Sequence, residues 1–261
     1  AMEDWLKIRL LHRTTRKISL TSAGEACLKD VELWLEQADN FISLVNTSEE
    51  LSGLVRITSS MSFGFSQLML AIQDFMRLYP KVRIDIDLED SAADLTEKSI
   101  DLAIRIASNP DPSLIGKPIA VCESALVAST AYLEKVRETI GGIQYPKDLV
   151  NHQCLGYKNF ERHIWHLSQG DQFESIPVDC RLTANEATAL LHAALNDGGI
   201  SLQPTYLVNR YIKEGRLCHV LPDWKPKDLS IYALYSSRKH LPPTVRALID
   251  HLEIYFKDNP W

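Results

Sequence analysis

"LVRITSSMSFGFSQLMLAIQDFMRLYPKVRIDIDLED" (residues 54–90) decides the fold class. Its first seven residues (54–60) read as a strand. Phe65, Leu68, Met69, Ile72, Phe75, Met76 and Tyr79 then recur at helical spacing until Pro80, which has no amide to give a helix interior. Val82, Ile84, Ile86 and Leu88 next alternate with charged neighbours, as in a strand with one buried face. A short helix fits 94–99, and "DLAIRIA" (101–107) is a third strand, apolar almost throughout. Strand, helix, strand, helix and strand within about fifty residues is the pattern of a parallel α/β sheet.

Downstream, "SALVAS" (124–129) and "CLGY" (154–157) read as strands, with helical stretches near 130–138 and 146–151. The segment from Phe160 to Val178 reads as a hairpin. "CRLTAN" (180–185) leads into a helix from Glu186 to Asn196, with Ala187, Leu190, Leu191, Ala194 and Leu195 inward. Gly198 and Gly199 are placed to cap that helix through positive φ before the strand "ISLQ" (200–203). "SIYALYSS" (230–237) is a late strand, and Pro242–Pro243 opens a last helix with Val245, Leu248, Ile249 and Leu252 on one side. A strand near 124–128 leaves a first lobe and one near 230 returns to it. Two crossings make a hinge, and ligands of such folds bind beyond the carboxyl ends of the strands.

Upstream, Leu28, Val31, Leu35, Ala38, Ile42 and Val45 step by three and four, the period of a coiled-coil seam, which favours pairing with a second copy. Trp34 and Phe41 widen the stripe. The helix starts at Thr21 or Ser22, where Ser22 and Glu25 have the spacing of a capping box, and breaks near Ser52–Gly53. Before it, "RKISLT" (16–21) alternates as a short strand. Lys7, Arg9, Arg13, Arg16 and Lys17 stand between Trp5 and Gly24 with no Asp or Glu, in a chain of formal charge −6. The remainder therefore carries −11, and a basic patch on an acidic body points to an anionic partner.

At 261 residues and 45% hydrophobic, the chain is long enough for two domains with substantial cores. No apolar run approaches the roughly 18 residues of a membrane span, and Trp5–Leu11 is too polar for a secretion signal. Five scattered cysteines suit reduced thiols, so a soluble cytoplasmic protein without membrane contact is expected. His163 and His166 lack a third ligand and read as structural, so no metal is expected. "NDGGIS" (196–201) lacks the spacing of a dinucleotide loop. There is no G-x-S-x-G, phosphate-binding loop or C-x-x-C, and no convergent acid, base and nucleophile, so neither catalysis nor a cofactor is expected.

What remains is polar strand-to-helix turns. In "SSMSFG" (59–64), the hydroxyls of Ser59, Ser60 and Ser62 and the amides of the helix start suit a carboxylate or similar anion. Arg105 ends the third strand, and Asn185 precedes the helix of the second lobe. Together they favour a ligand cleft over simple helix caps. A free solute-binding protein or a small-molecule enzyme would use the same architecture. The first leaves the basic front and heptad helix unexplained, and the second lacks a catalytic set.

"AMEDWLKIRLLHRTTRKISLTSAGE" (1–25), "FMRLYPKVRIDIDLED" (75–90), "DLAIRIA" (101–107), "SALVASTAYL" (124–133), "HQCLGY" (152–157), "DGGISLQP" (197–204), "GRLCHVLPDW" (215–224) and "LYSSRKHLPPTVRALIDHL" (234–252) occur in an order and spacing that resembles the LysR-type transcriptional regulators, over essentially the whole chain. The resemblance implies an α/β, two-lobed, periplasmic-binding-protein-like effector domain behind a wing and a long linker helix. Residues 1–21 would be the end of a winged helix-turn-helix, 22–52 the dimerisation helix and 53–261 the effector-binding domain. Within the latter, lobe I would be 53–126 with 230–261, and lobe II 127–229.

Carried over by position, the wing spans Arg9 to Leu20, with Arg9, His12, Arg13, Thr14, Thr15 and Arg16 as DNA contacts. The effector cleft would be Ser60, Ser62, Phe63, Arg105, Ile106, Tyr157, Asn185 and Pro204. The implied partners are a small-molecule effector, a second copy in a homodimer or homotetramer, and DNA. Of the family's roughly sixty-residue winged helix-turn-helix only the end is recognisable here. DNA binding by this stretch alone is therefore expected to be weak or absent.

Overall fold

The structure is a computed structural model, and it describes residues 3, 6–13, 18–28, 30, 31, 34, 51–89, 100–161, 163–236 and 241–261. The chain divides into two units, Ala1–Glu50 and Leu51–Trp261.

In the first unit, β1 (Leu11–Arg13) and β2 (Ile18–Leu20) form an antiparallel hairpin with Leu11 opposite Leu20 and Arg13 opposite Ile18. The Glu3 carboxylate accepts from the amides of Leu10 and Leu11, at 2.7 and 2.9 Å, and so holds the approach to β1. The helix that follows is capped by Thr21 rather than by a Ser22–Glu25 box. Thr21 donates its amide to the Leu10 carbonyl (2.9 Å), which keeps it outside the helix, and its Oγ1 accepts from the Gly24 amide (2.9 Å). Ser22 is already helical and exposed. Of the heptad positions, Leu28 and Val31 are described; Leu35, Ala38, Ile42 and Val45 lie outside the described residues.

The second unit holds two five-stranded sheets. The first contains β3 (Ser52–Ser59), β4 (Lys81–Leu88), β5 (Leu102–Ala107), β6 (Ile115–Cys122) and β15 (Leu229–Tyr235), in the order β4-β3-β5-β15-β6. β3 is parallel to β4 and β5, while β15 runs against β5 and β6. Two helices cover one face, α1 (Met69–Leu78) and α5 (Pro243–Asp258). Val55, Ile57, Leu102, Ile104, Ile231 and Ala233 of the strands meet Ile72 and Phe75 of α1 and Val245, Leu248 and Leu252 of α5. Helical structure begins earlier than the apolar spacing predicts, at Met61, and passes through a π-helical stretch, Gly64–Leu68, before α1. The expected helix over 94–99 lies outside the described residues.

The second sheet contains β7 (Ser124–Ser129), β8 (Cys154–Tyr157), β11 (Leu182–Ala184), β12 (Ile200–Pro204) and β13 (Leu217–His219), in the order β11-β8-β12-β7-β13. α3 (Ala187–Leu195) and α4 (Thr205–Lys213) lie on one side, where Leu190, Leu191 and Val208 join Val127 and Leu155 in the core that also fills the first lobe. The other face has its own core. It is covered by α2 (Thr130–Thr139) and a small sheet of β9 (Ile164–Gln169), β10 (Gln172–Pro177) and β14 (Lys225–Pro226), with Trp165 and Leu167 against Leu126, Ala128 and Ile200. Burial on both faces explains why "SALVAS" shows no alternation.

The chain crosses between the lobes, in both directions, slightly earlier than expected. Ser124–Leu126 already pair with Pro204–Leu202, so the chain leaves the first sheet at Glu123 rather than after 126. Leu229 pairs with Cys122, so it belongs to the first lobe, and β3 already begins at Ser52. β6 and α4 have no counterpart in the sequence reading. The cap after α3 also differs in its residue: the left-handed position is Asp197 (φ 60°), and Gly198 donates to the Ala193 carbonyl (2.9 Å). Gly199 (φ 134°) is needed where β12 starts, since a Cβ there would stand 2.4 Å from the Gln153 carbonyl oxygen.

Candidate effector cleft between the sheets

Parallel strands all end at the same edge, and the polar turns after them are the residues singled out from sequence. Ser60 follows β3, Arg105 and Ile106 lie in the last half of β5, and Tyr157 ends β8. Asn185 follows β11, and Pro204 ends β12. The two sets of strand ends meet. The Ser62 Oγ lies 3.3 Å from the Tyr206 Oη, joining the turn after β3 to the first turn of α4. Phe63 packs edge-on against Tyr206 (5.5 Å between ring centres) and also contacts Phe256 (5.4 Å) and Trp261 (6.0 Å). This ring cluster joins α5 and the helical turn Met61–Phe63 to the second lobe.

Ser60 turns the chain from extended (φ −59°, ψ 144°) into helix, and its carbonyl accepts from the Gly64 amide at 2.9 Å. Its hydroxyl caps no helix amide. Gly64 lets the helix start lie against the end of β4, because a Cβ would stand 2.3 Å from Leu88 Cδ2. Arg105 is half-buried; its Nη2 donates to Thr58 Oγ1 (2.9 Å) and its Nη1 to the Ile104 carbonyl (3.2 Å). The guanidinium is thereby held against its own sheet. Across the cleft, the loop after β8 is pinned to β11: the Lys158 amide donates to the Ala184 carbonyl (2.8 Å) and Asn159 Nδ2 to the Asn185 carbonyl (3.3 Å). In that loop burial raises the Glu161 carboxyl above its usual range, against an opposing hydrogen bond from the His166 amide (3.1 Å). At the crossover, burial and the nearby Asp228 and Glu123 carboxylates push the Cys122 thiol up to about 12.

Ser62 and Phe63 are buried, so they position the helix start, whereas Ser60, Ile106, Tyr157 and Pro204 are half-buried and Asn185 is exposed. Sequence reasoning missed Gln203 and Tyr206 and did not single out Thr58. Among the described residues, the buried side-chain atoms without a hydrogen-bond partner are Ser59 Oγ, Ser60 Oγ, Gln203 Oε1 and His152 Nδ1. The first three stand at strand ends, Ser59 closing β3, Ser60 just after it and Gln203 near the end of β12. Gln203 Nε2 is occupied by Ser201 Oγ (2.8 Å), leaving its carbonyl unmatched. Burial of such atoms at the ends of strands was the missing signal, and no residue spacing carries it.

Away from the cleft, His166 bonds Ser175 Oγ (2.9 Å) across the β9–β10 hairpin and stacks on Phe173. No group of three His, Cys, Asp or Glu among the described residues is arranged to hold a metal ion. Among those residues no helix is long and apolar enough to cross a membrane. Of the expected wing contacts, Arg9 is exposed just before β1. His12 and Arg13 lie in β1, and Thr14, Thr15 and Arg16 lie outside the described residues.

Residues 48–256 match the LysR substrate-binding domain. An HTH-type transcriptional regulator of Haemophilus influenzae is 33% identical over 252 residues, spanning 95% of this chain and 85% of that protein. The HTH-type transcriptional regulator PtxR of Pseudomonas aeruginosa is 31% identical over 262 residues, spanning 100% of this chain and 83% of that protein. Among solved structures, the full-length Vibrio cholerae virulence activator AphB superposes with a TM-score of 0.68 at 29% identity, over 97% of this chain and 86% of that one. CrgA, a LysR-type regulator from Neisseria meningitidis, does so with 0.69 at 25% identity over 97% and 86%. The chain belongs to the LysR family of transcriptional regulators, and the two-sheet body is its effector-binding domain.

Proposed function

We propose that the inter-sheet cleft binds a small-molecule effector and that occupancy of the cleft sets the geometry of a homo-oligomer on DNA. The observation that carries this is the pair of unmatched sites on opposite sheets, Ser59 and Ser60 at the end of β3 and Gln203 in β12. Buried polar atoms without partners are destabilising by about 1–3 kcal/mol each, and a ligand that satisfies them recovers that loss. Ser60, Arg105, Ile106, Tyr157, Asn185 and Pro204 are the residues assigned to contact it, with Ser62 and Phe63 holding the helix start. Hydroxyls, a guanidinium and an uncapped helix N-terminus suit a small carboxylate. The effector is the only ligand in this reading; no metal, cofactor or turnover is part of it.

An effector that prefers one lobe arrangement shifts the population towards it, and no other property of the ligand can do so. The helix bearing Leu28, Val31, Leu35, Ala38, Ile42 and Val45 pairs with a second copy. In the described part Leu28 is 45% and Trp34 70% exposed, apolar surface that a partner helix covers. Dimers or tetramers follow, acting in the cytoplasm, with the β1–β2 wing and its cationic residues touching DNA phosphate. Residues 1–21, 22–52 and 53–261 serve as wing segment, linker and sensor.

A thermal-shift screen of small carboxylates, aromatics and amino acids tests the cleft. A ligand at a hundred times its Kd raises Tm by about 5–10 °C for a domain of this size. The shift disappears in Ser60→Ala combined with Asn185→Ala. A stabilising ligand indifferent to both changes overturns the placement.

A further inference from the structure

A second recess lies at the other pole of the first sheet. It encloses about 250 Å³ between β6, β15 and α5, lined by Lys117, Tyr235, Leu241, Arg246, Ile249 and Asp250. β15 runs against β5: Tyr232 and Ile231 stand opposite Arg105 and Ile106 at the cleft end, and Leu234 stands opposite Ala103 near the start of β5. Tyr235 therefore sits at the pole away from the cleft. The same pole is where α5 is tied to the beginning of β3, through Thr244 Oγ1 donating to the Ser52 carbonyl at 3.0 Å.

The charges in the recess are unevenly matched. Lys117 Nζ lies 2.7 Å from Asp250 Oδ1 and 2.8 Å from Glu253 Oε2, so both carboxylates serve one ammonium. Asp250 is four residues after Arg246 on α5, the spacing at which an ion pair forms along a helix, yet it turns to Lys117 instead. Arg246 is exposed and has no carboxylate partner among the described residues. Tyr235 is only 9% exposed, and its hydroxyl has no hydrogen-bond partner among the described residues. Leu241 and Ile249 supply an apolar wall beside these two unused donors.

We propose that this recess is a second small-molecule site, for a monocarboxylate with a compact apolar body. The carboxylate accepts from the Arg246 guanidinium and the Tyr235 hydroxyl, and the body covers Leu241 and Ile249. A dianion is disfavoured because Asp250 stands beside the guanidinium. The site does not depend on the cleft reading, but α5 connects the two places. Its first half lines the recess, and Phe256, about 15 Å further along the helix, packs on Phe63 and Trp261 in the ring cluster between the lobes. Tightening the start of α5 therefore bears on the hinge.

The probe is 3-phenylpropionate, with 3-phenylpropan-1-ol as its uncharged counterpart, titrated into 15N-labelled protein and followed by amide shifts. For a ligand of about eleven heavy atoms a Kd near 1 mM is expected, with the largest shifts around residues 117 and 243–250. Arg246→Gln weakens binding about tenfold, Tyr235→Phe by several fold, and the alcohol binds at least about tenfold less well. Ser60→Ala with Asn185→Ala leaves these shifts in place, which separates this site from the cleft. Shifts that do not saturate by about 10 mM overturn the proposal. So does equal binding of the alcohol, indifference to Arg246→Gln, or loss of the shifts in the cleft double variant.

Discussion

The two large sheets share one plan and differ in their cover. In both, three parallel strands stand side by side, and the fourth strand, the only antiparallel one, lies next to a crossover between lobes. This shared plan puts Ser59 and Ser60 at the end of β3 in the position that Tyr157 holds at the end of β8, and Arg105 in β5 where Gln203 stands in β12. The covers diverge. On the side away from α1 and α5, the first sheet buries little among the described residues, Ala103 and Leu234 beside half-buried Ile100, Leu114 and Tyr232. The corresponding side of the second sheet buries Trp165, Leu167, Leu126, Leu149 and Ile200 under a further sheet. Strand order thus places the polar groups at the strand ends, while the cover decides how firmly each sheet is held.

Cutting into each cover tests that contrast most severely. Trp165→Ala, at a side chain 1% exposed, should destabilise by about 3–5 kcal/mol, and Leu234→Ala by about 2–3 kcal/mol, in urea unfolding. Because one core runs through both lobes, a single transition is expected in each case. Two separate transitions, or equal losses, would break the comparison.

Glycine substitutions sharpen it. Gly199→Ala forces a Cβ onto a backbone carbonyl at a positive φ and should lose about 2–3 kcal/mol. Gly64→Ala meets only the Leu88 side-chain tip and should lose about 1 kcal/mol or less. Between the lobes, Tyr206→Phe removes the contact with Ser62 and should lower stability by about 1 kcal/mol without changing the unfolding slope.

The smallest effect is expected from His152, buried in the second lobe with Nδ1 unpaired. Burial lowers its pKa below the ordinary 6.5, partly offset by Asp148. The unfolded chain therefore takes up a proton that the folded protein resists. The stability from neutral His152 is full above pH 6.5 and falls away as pH drops through the lower native value. Glu161, with its raised carboxyl, works in the opposite sense, so the useful measurement is the difference between wild type and His152→Gln at pH 7 and 5. A wild-type slope unchanged by the substitution removes His152 from the account.

Strand β4 and helix α5 were legible because their apolar residues recur at the period of their own element, and β3 and β5 as short apolar runs. β6 escaped notice because Gly116, Lys117 and Pro118 interrupt its pattern, and it is held by pairing along β15. α4 follows β12 without a break, Pro204 serving as the boundary of both, so no turn signal announced it. Of the candidate cleft, the positions of the hydroxyl-rich turn after β3, of Arg105 in the last half of β5 and of Asn185 just after β11 were legible. Gln203 and Tyr206 were not, since a glutamine inside a strand and a tyrosine in a helix are ordinary in sequence.

By itself, the sequence determined the alternation of strands and helices, the two crossings, the basic hairpin before a heptad pattern, and the family. Each rests on local periodicity or on an order of motifs along the chain. Only the tertiary structure decided which polar atoms remain unmatched among the described residues, that Phe63 and Tyr206 join the lobes, and that Asp250 turns to Lys117 rather than to Arg246. Those outcomes depend on groups far apart in the chain competing for the same partners, and such competition is settled only when the sheets and helices pack.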